Sequence, residues 1–125
     1  MMVSTVIAQL RTTNLKDSIH FYTAQLGFEL DFEFSDFYAG IKVADGQFIH
    51  LKLVDDKDPS INYVRSNGHL HLFFSIDDAD AAAAQFRVKG VSFHAEPNDT
   101  AWGTREFHVY DDQGHVLCFA QDTAT

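Results

Sequence analysis

Residues 3–10 (Val-Ser-Thr-Val-Ile-Ala-Gln-Leu) are rich in β-branched side chains and predict a strand. Asn14 then offers an N-cap, and Leu15, Ile19, Tyr22 and Leu26 follow at intervals of four, three and four. That spacing is one apolar face of a helix, and Gly27 stops it. Three short strands are predicted next, near 28–34, 37–43 and 47–54, with an Asp45-Gly46 turn between the last two.

The order then repeats. Residues 69–76 predict a strand, and Asp77 or Asp78 caps a helix with Ala79, Ala83 and Phe86 on one face, ended by Gly90. Strands are predicted near 91–95, 103–110 and 115–121, the last two joined by Asp111-Asp112-Gln113-Gly114. Thirteen residues separate Asn14 from Gly27 and Asp77 from Gly90, so the helices recur at an offset of 63, half the chain. The polar, proline-containing stretch of residues 55–67 reads as a linker between repeats at about 3–54 and 68–121. The pattern predicts an α+β fold of two βαβββ units in one domain, 1–125.

Strand side chains alternate between faces, so each strand can be split by parity. Ile49, Leu51 and Leu53 oppose Phe48, His50 and Lys52; Leu70, Leu72, Phe74 and Ile76 oppose His69, His71 and Phe73. Phe107 and Val109 oppose Thr104, Glu106, His108 and Tyr110, while Leu117 and Phe119 oppose Val116, Cys118 and Ala120. One face is apolar and suited to pack under helices. The other is polar and aromatic and holds four of the seven histidines, His50, His69, His71 and His108. A concave sheet so lined is a pocket for a small molecule; a solvated face, or one hidden in a dimer, is the alternative.

Composition narrows the partners. The chain is 46% hydrophobic with twelve Phe, enough to build a core. Nine Lys and Arg against eighteen Asp and Glu give a net charge of −9, which repels phosphate and argues against nucleic acid and anionic membranes. The same charge favours a cationic ligand. Cys118 is the single cysteine, so no internal disulfide can form, and a cytoplasmic location is expected. Residues 1–10 lack the basic start and apolar run of a signal peptide, and no stretch approaches the roughly 20 apolar residues of a membrane span.

Two segments carry a family likeness. Residues 10–22 (Leu-Arg-Thr-Thr-Asn-Leu-Lys-Asp-Ser-Ile-His-Phe-Tyr), followed by Leu26-Gly27-Phe28, resemble the opening of vicinal oxygen chelate proteins. These include glyoxalase I, bleomycin and fosfomycin resistance proteins and extradiol dioxygenases. Glu96-Pro97-Asn98-Asp99-Thr100-Ala101-Trp102-Gly103-Thr104-Arg105-Glu106-Phe107, then Asp111-Asp112-Gln113-Gly114-His115-Val116-Leu117, resembles the close of bleomycin-resistance-type members. The resemblance spans essentially the whole chain. It implies a curved, mostly antiparallel eight-stranded sheet around a cleft, with helices on the convex face.

Metal-dependent relatives hold a divalent ion at four strand positions. By resemblance these fall on Ile7, His50, His71 and Cys118, so Ile7 and Cys118 depart from the His, Gln and Glu pattern. Ile7 cannot ligate. His50, His71 and Cys118 would leave an N₂S zinc set, with His108 or Glu106 on the same face to complete it. The expectation is a protein without a cofactor that binds an aromatic or cationic small molecule in the cleft of a homodimer. Phe34, Phe37, Tyr38, Phe48, His50, His69, His71, Trp102, His108 and Cys118 would line it. Trp102 and the Arg105–Glu106 pair also have a structural reading, as parts of a strand entry. Cys118 is either a nucleophile beside a histidine or a small buried hydrophobe. The alternative function is a metal-dependent lyase, transferase or dioxygenase with Zn, Ni, Mn or Fe on His50 and His71.

Overall fold

The computed structural model describes residues 1–124. The tandem βαβββ order is present, and the eight strands hydrogen-bond as two four-stranded mixed sheets, ordered β1-β4-β3-β2 and β5-β8-β7-β6 in chain numbering. The chain divides into two compact units, Met1–Asn62 and Tyr63–Thr125.

In the first unit, β1 (Ala8–Thr12) runs parallel to β4 (Gln47–Leu53), which pairs antiparallel with β3 (Tyr38–Ala44), itself antiparallel to β2 (Glu29–Phe34). β1 is shorter and later than the expected 3–10. Only residues 8–12 find a partner on β4, and β-branched residues do not make a strand without one. Between β1 and β2, α1 (Leu15–His20) is capped by Asn14, whose side chain accepts from Asp17 N. It runs into a π-helical turn, Phe21–Gln25, where Leu26 N donates to Phe21 O at 3.0 Å. The sequence spacing predicts an unbroken α-helix; the wider turn swings both Phe21 and Tyr22 inward, 4% and 0% exposed.

Residues 55–67, read as a linker, contain α2 (Pro59–Asn67). Asp58 Oδ1 accepts from Ser60 N and Oγ, Pro59 opens the helix where its missing N–H is not needed, and Ile61 and Val64 are buried. The proline marks a helix start, not a break.

In the second unit, β5 (Leu70–Ile76) runs parallel to β8 (Val116–Asp122), which pairs antiparallel with β7 (Thr104–Tyr110), itself antiparallel to β6 (Phe93–Asp99). β6 continues to residue 99, past the expected end at 95, with register shifts on either side of Ala95. α3 (Ala79–Val88) is capped by Asp78 and buries Ala79, Ala83 and Phe86, as its spacing predicts. From Asp78 to Gly90 is one residue fewer than from Asn14 to Gly27. The π-helical turn accommodates that extra residue.

Phe86 packs edge-on against Phe107 and Phe119, and Phe74, Phe119 and Phe107 stack in sequence across three strands. Parity fails at the start of β5. A register shift between Leu70 and Leu72 breaks the alternation, and Leu70 is 46% exposed instead of joining the core. β8 is buried on both faces: Val116, Cys118 and Ala120 are as enclosed as Leu117 and Phe119.

Candidate functional site

In the first unit, Gln9, His50 and Gly40 face one another in register across β1, β4 and β3, and Phe32 on β2 pairs with Gly40. The missing side chain at Gly40 is filled by Phe32, whose ring would lie 2.3 Å from a Cβ there. This lets Phe32 reach over β3 to His50, with ring centroids 5.4 Å apart, and lie nearly parallel to Tyr38 at 6.2 Å. Gln9 Nε2 donates to Tyr38 Oη at 3.0 Å, and Tyr38 Oη lies 2.9 Å from His50 Nδ1. The phenol has one proton and two lone pairs, so it bonds Gln9 and His50 at once, and Nε2 is the remaining ring nitrogen of His50.

Phe34 and Phe37 flank the β2–β3 turn, edge to face at 5.7 Å and 60% and 43% exposed, with Ser35 and Asp36 in the left-handed region between them. Phe48 is half-buried on β4, on the same parity as His50.

In the second unit, His71 lies against His115, ring centroids 4.7 Å apart, and His69 stacks on Tyr63 at 4.9 Å. Nδ1 of His71 is enclosed without a hydrogen bond. Burial, with His115 adding to it, pushes the His71 pKa below the ordinary 6.5. On β7, Thr104 Oγ1 donates to Glu106 Oε2 at 2.8 Å, and Glu106 Oε1 lies 3.3 Å from His108 Nε2. His108 faces Cys118 across the β7–β8 ladder. Cys118 is fully buried, and desolvation together with the Glu106 carboxylate pushes its thiol up to about 12. At ordinary pH it is a protonated thiol and no nucleophile.

The closing motif separates into roles. Trp102 stands 72% exposed in the β6–β7 turn. Gly103 adopts a φ of +91° against Ala124. Arg105 bonds Asp80 at the start of α3 and Asp99 on β6, and Phe107 is core.

The residues do not fit the ligand set of metal-dependent relatives. Ile7 has no donor atom, His50 Nδ1 is taken up by Tyr38, and Cys118 is a fully buried thiol. Among the described residues, the His, Cys, Asp and Glu side chains that gather as a three-membered set are Glu106, His108 and Cys118. That set shares only Cys118 with the expected positions. Sequence parity put Glu106 and His108 on the face of β7 opposite Phe107 and Val109. It missed Gln9 and Phe32, whose roles arise only from strand register, and His115, which lies in a turn.

The chain thus carries two βαβββ units in tandem, each with histidines and aromatic rings on one sheet face. The chain belongs to the Glyoxalase/Bleomycin resistance protein/Dioxygenase superfamily, whose family model matches residues 4–119. Solved structures of the same fold include UcmS2, 17% identical over 96% of this chain and 98% of that one, with a TM-score of 0.80. TnmS3, an antibiotic binding protein from Streptomyces sp. CB03234, is 25% identical over 98% and 99%, at 0.67. A mutant of the fosfomycin resistance protein FosX from Listeria monocytogenes, complexed with Mn(II) and 1S,2S-dihydroxypropylphosphonic acid, is 19% identical over 99% and 93%, at 0.70. No curated protein matches the chain. No helix among the described residues is long and apolar enough to cross a membrane.

Proposed function

We propose that this chain is a small-molecule binding protein that takes a flat aromatic or cationic ligand against its aromatic–histidine sheet face. It works as a homodimer and without a catalytic metal at the four family positions. The observation that carries this reading is the Phe32–Tyr38–His50 cluster, in which two nearly parallel rings lie beside a histidine hydrogen-bonded to the Tyr38 hydroxyl. Ring faces attract cations, and a net charge of −9 raises the local concentration of a cationic ligand. The exposed Phe34 and Phe37 of the same unit offer further stacking surface, and Trp102 offers an exposed ring on the second unit. TnmS3, of the same fold, is an antibiotic binding protein, which supports a small-molecule binding role.

The test is an NMR titration of the full chain with N-methylacridinium, a flat aromatic cation. Saturable shifts centred on Phe32, Tyr38 and His50 are expected, and shifts scattered over the acidic surface alone refute the site. Sedimentation at micromolar concentration is expected to give a dimer; a monomer refutes that part.

A further inference from the structure

A carboxylate oxygen, an imidazole nitrogen and a thiol sulfur, from Glu106, His108 and Cys118, lie within 4.8 Å of one another. They share the face of β7 and β8 opposite the phenylalanine core: Glu106 and His108 are two apart on β7, and Cys118 is the direct partner of His108 on β8. We propose that these three side chains form a zinc site that keeps Cys118 among the positions expected from metal-dependent relatives and takes its other two ligands from β7. It goes beyond the ligand-binding reading, and either can fail alone.

The geometry needs little adjustment. Zinc bonds of about 2.0–2.3 Å set tetrahedral ligand atoms roughly 3.5 Å apart. Glu106 Oε1 and His108 Nε2 are already 3.3 Å apart, and strand pairing fixes the Cys118 backbone opposite. The supporting contacts are in place. Thr104 Oγ1 holds Glu106 Oε2, leaving Oε1 for the ion, and the His94 ring lies parallel to His108 at 6.1 Å. Sulfur, nitrogen and oxygen together suit zinc, whereas magnesium and calcium want oxygen alone. On binding, the thiol proton leaves to solvent and sulfur ligates as thiolate. The fourth position stays open to water or to an oxygen or nitrogen of a bound molecule. Cys118 is sealed, but 21% of the His108 side chain is exposed, so the ion enters along the imidazole edge.

The experiment uses the full, untagged chain with Zn²⁺ and Co²⁺ alone. One Zn²⁺ per chain is expected in chelator competition. Co²⁺ should give a sulfur-to-cobalt charge-transfer band with four-coordinate d–d bands. Cys118→Ser removes that band. His108→Ala and Glu106→Gln weaken Zn²⁺ binding beyond the roughly 10- to 100-fold typical of supporting groups, and Thr104→Val falls within that range. His50→Ala and His71→Ala leave the affinity unchanged. A wild-type Co²⁺ spectrum without the charge-transfer band overturns the proposal, whether or not the variants fold. So does Zn²⁺ affinity that survives His108→Ala but falls with His50→Ala or His71→Ala.

Discussion

Tyr38 Oη and His50 Nδ1 lie 2.9 Å apart, joining neighbouring strands on the face opposite the core of the first unit. Gln9 donates to the same hydroxyl from the third strand, so one phenol ties β1, β3 and β4. Tyr38→Phe removes both bonds while keeping the ring. The expected cost is about 0.5–1.5 kcal/mol in chemical denaturation. The ¹⁵N shift of His50 Nδ1 should move as it loses its partner. An unchanged shift would show that the phenol does not hold the ring.

Gly40→Ala places a Cβ 2.3 Å from Cε1 of Phe32, so the ring must leave its seat over β3. Phe32 is 38% exposed and can swing toward solvent, so stability should change by less than about 1 kcal/mol. Ligand binding should fall with it. Preserved ring contacts between Phe32 and His50 in the NMR spectrum of the variant would contradict this.

His71 carries a depressed pKa because its ring is enclosed beside His115, with His69 opposing its charge weakly and Asp111 favouring it. The unfolded chain takes up this proton near the ordinary value of 6.5, and the folded chain only at lower pH. The unfolded state therefore binds more protons across that window, and folding stability is lost as pH falls below about 6.5. In denaturation midpoints from pH 7.5 to 5, His71→Gln should flatten the slope relative to wild type; an identical slope would assign it to other groups.

Phe107 is fully buried and contacts Phe86, Phe93 and Phe119. Phe107→Ala is expected to cost about 3–5 kcal/mol in urea denaturation, the price of a cavity in a close-packed core. A cost below about 1.5 kcal/mol would mean that the aromatic stack collapses around the gap.

Much of this architecture is written locally. Asn14 and Asp78 cap, Gly27, Gly90 and Gly114 adopt positive φ at their turns, and apolar spacing marks the buried faces of both helices. Features that depend on distant partners are not. The Leu70–Leu72 register shift is set by pairing with β8, and β1 begins only where its ladder with β4 does, at Ala8 opposite Ile49. α2 was hidden by a proline whose role as opener depends on Asp58 bonding to Ser60. The candidate sites show the same division. Parity placed His50, His108 and Cys118 on one kind of face, but register chose their neighbours. It gave His50 to Tyr38 and Phe32, and Cys118 to His108 and Glu106.

The most direct measurement is a calorimetric titration of the full chain with N-methylacridinium beside neutral acridine. The account predicts saturable binding, with the cation at least about tenfold tighter at low salt, an advantage that shrinks as salt screens the charge. Tyr38→Ala and Phe32→Ala should each weaken it. Equal affinity for cation and neutral ring, unaltered by either substitution, would contradict the account.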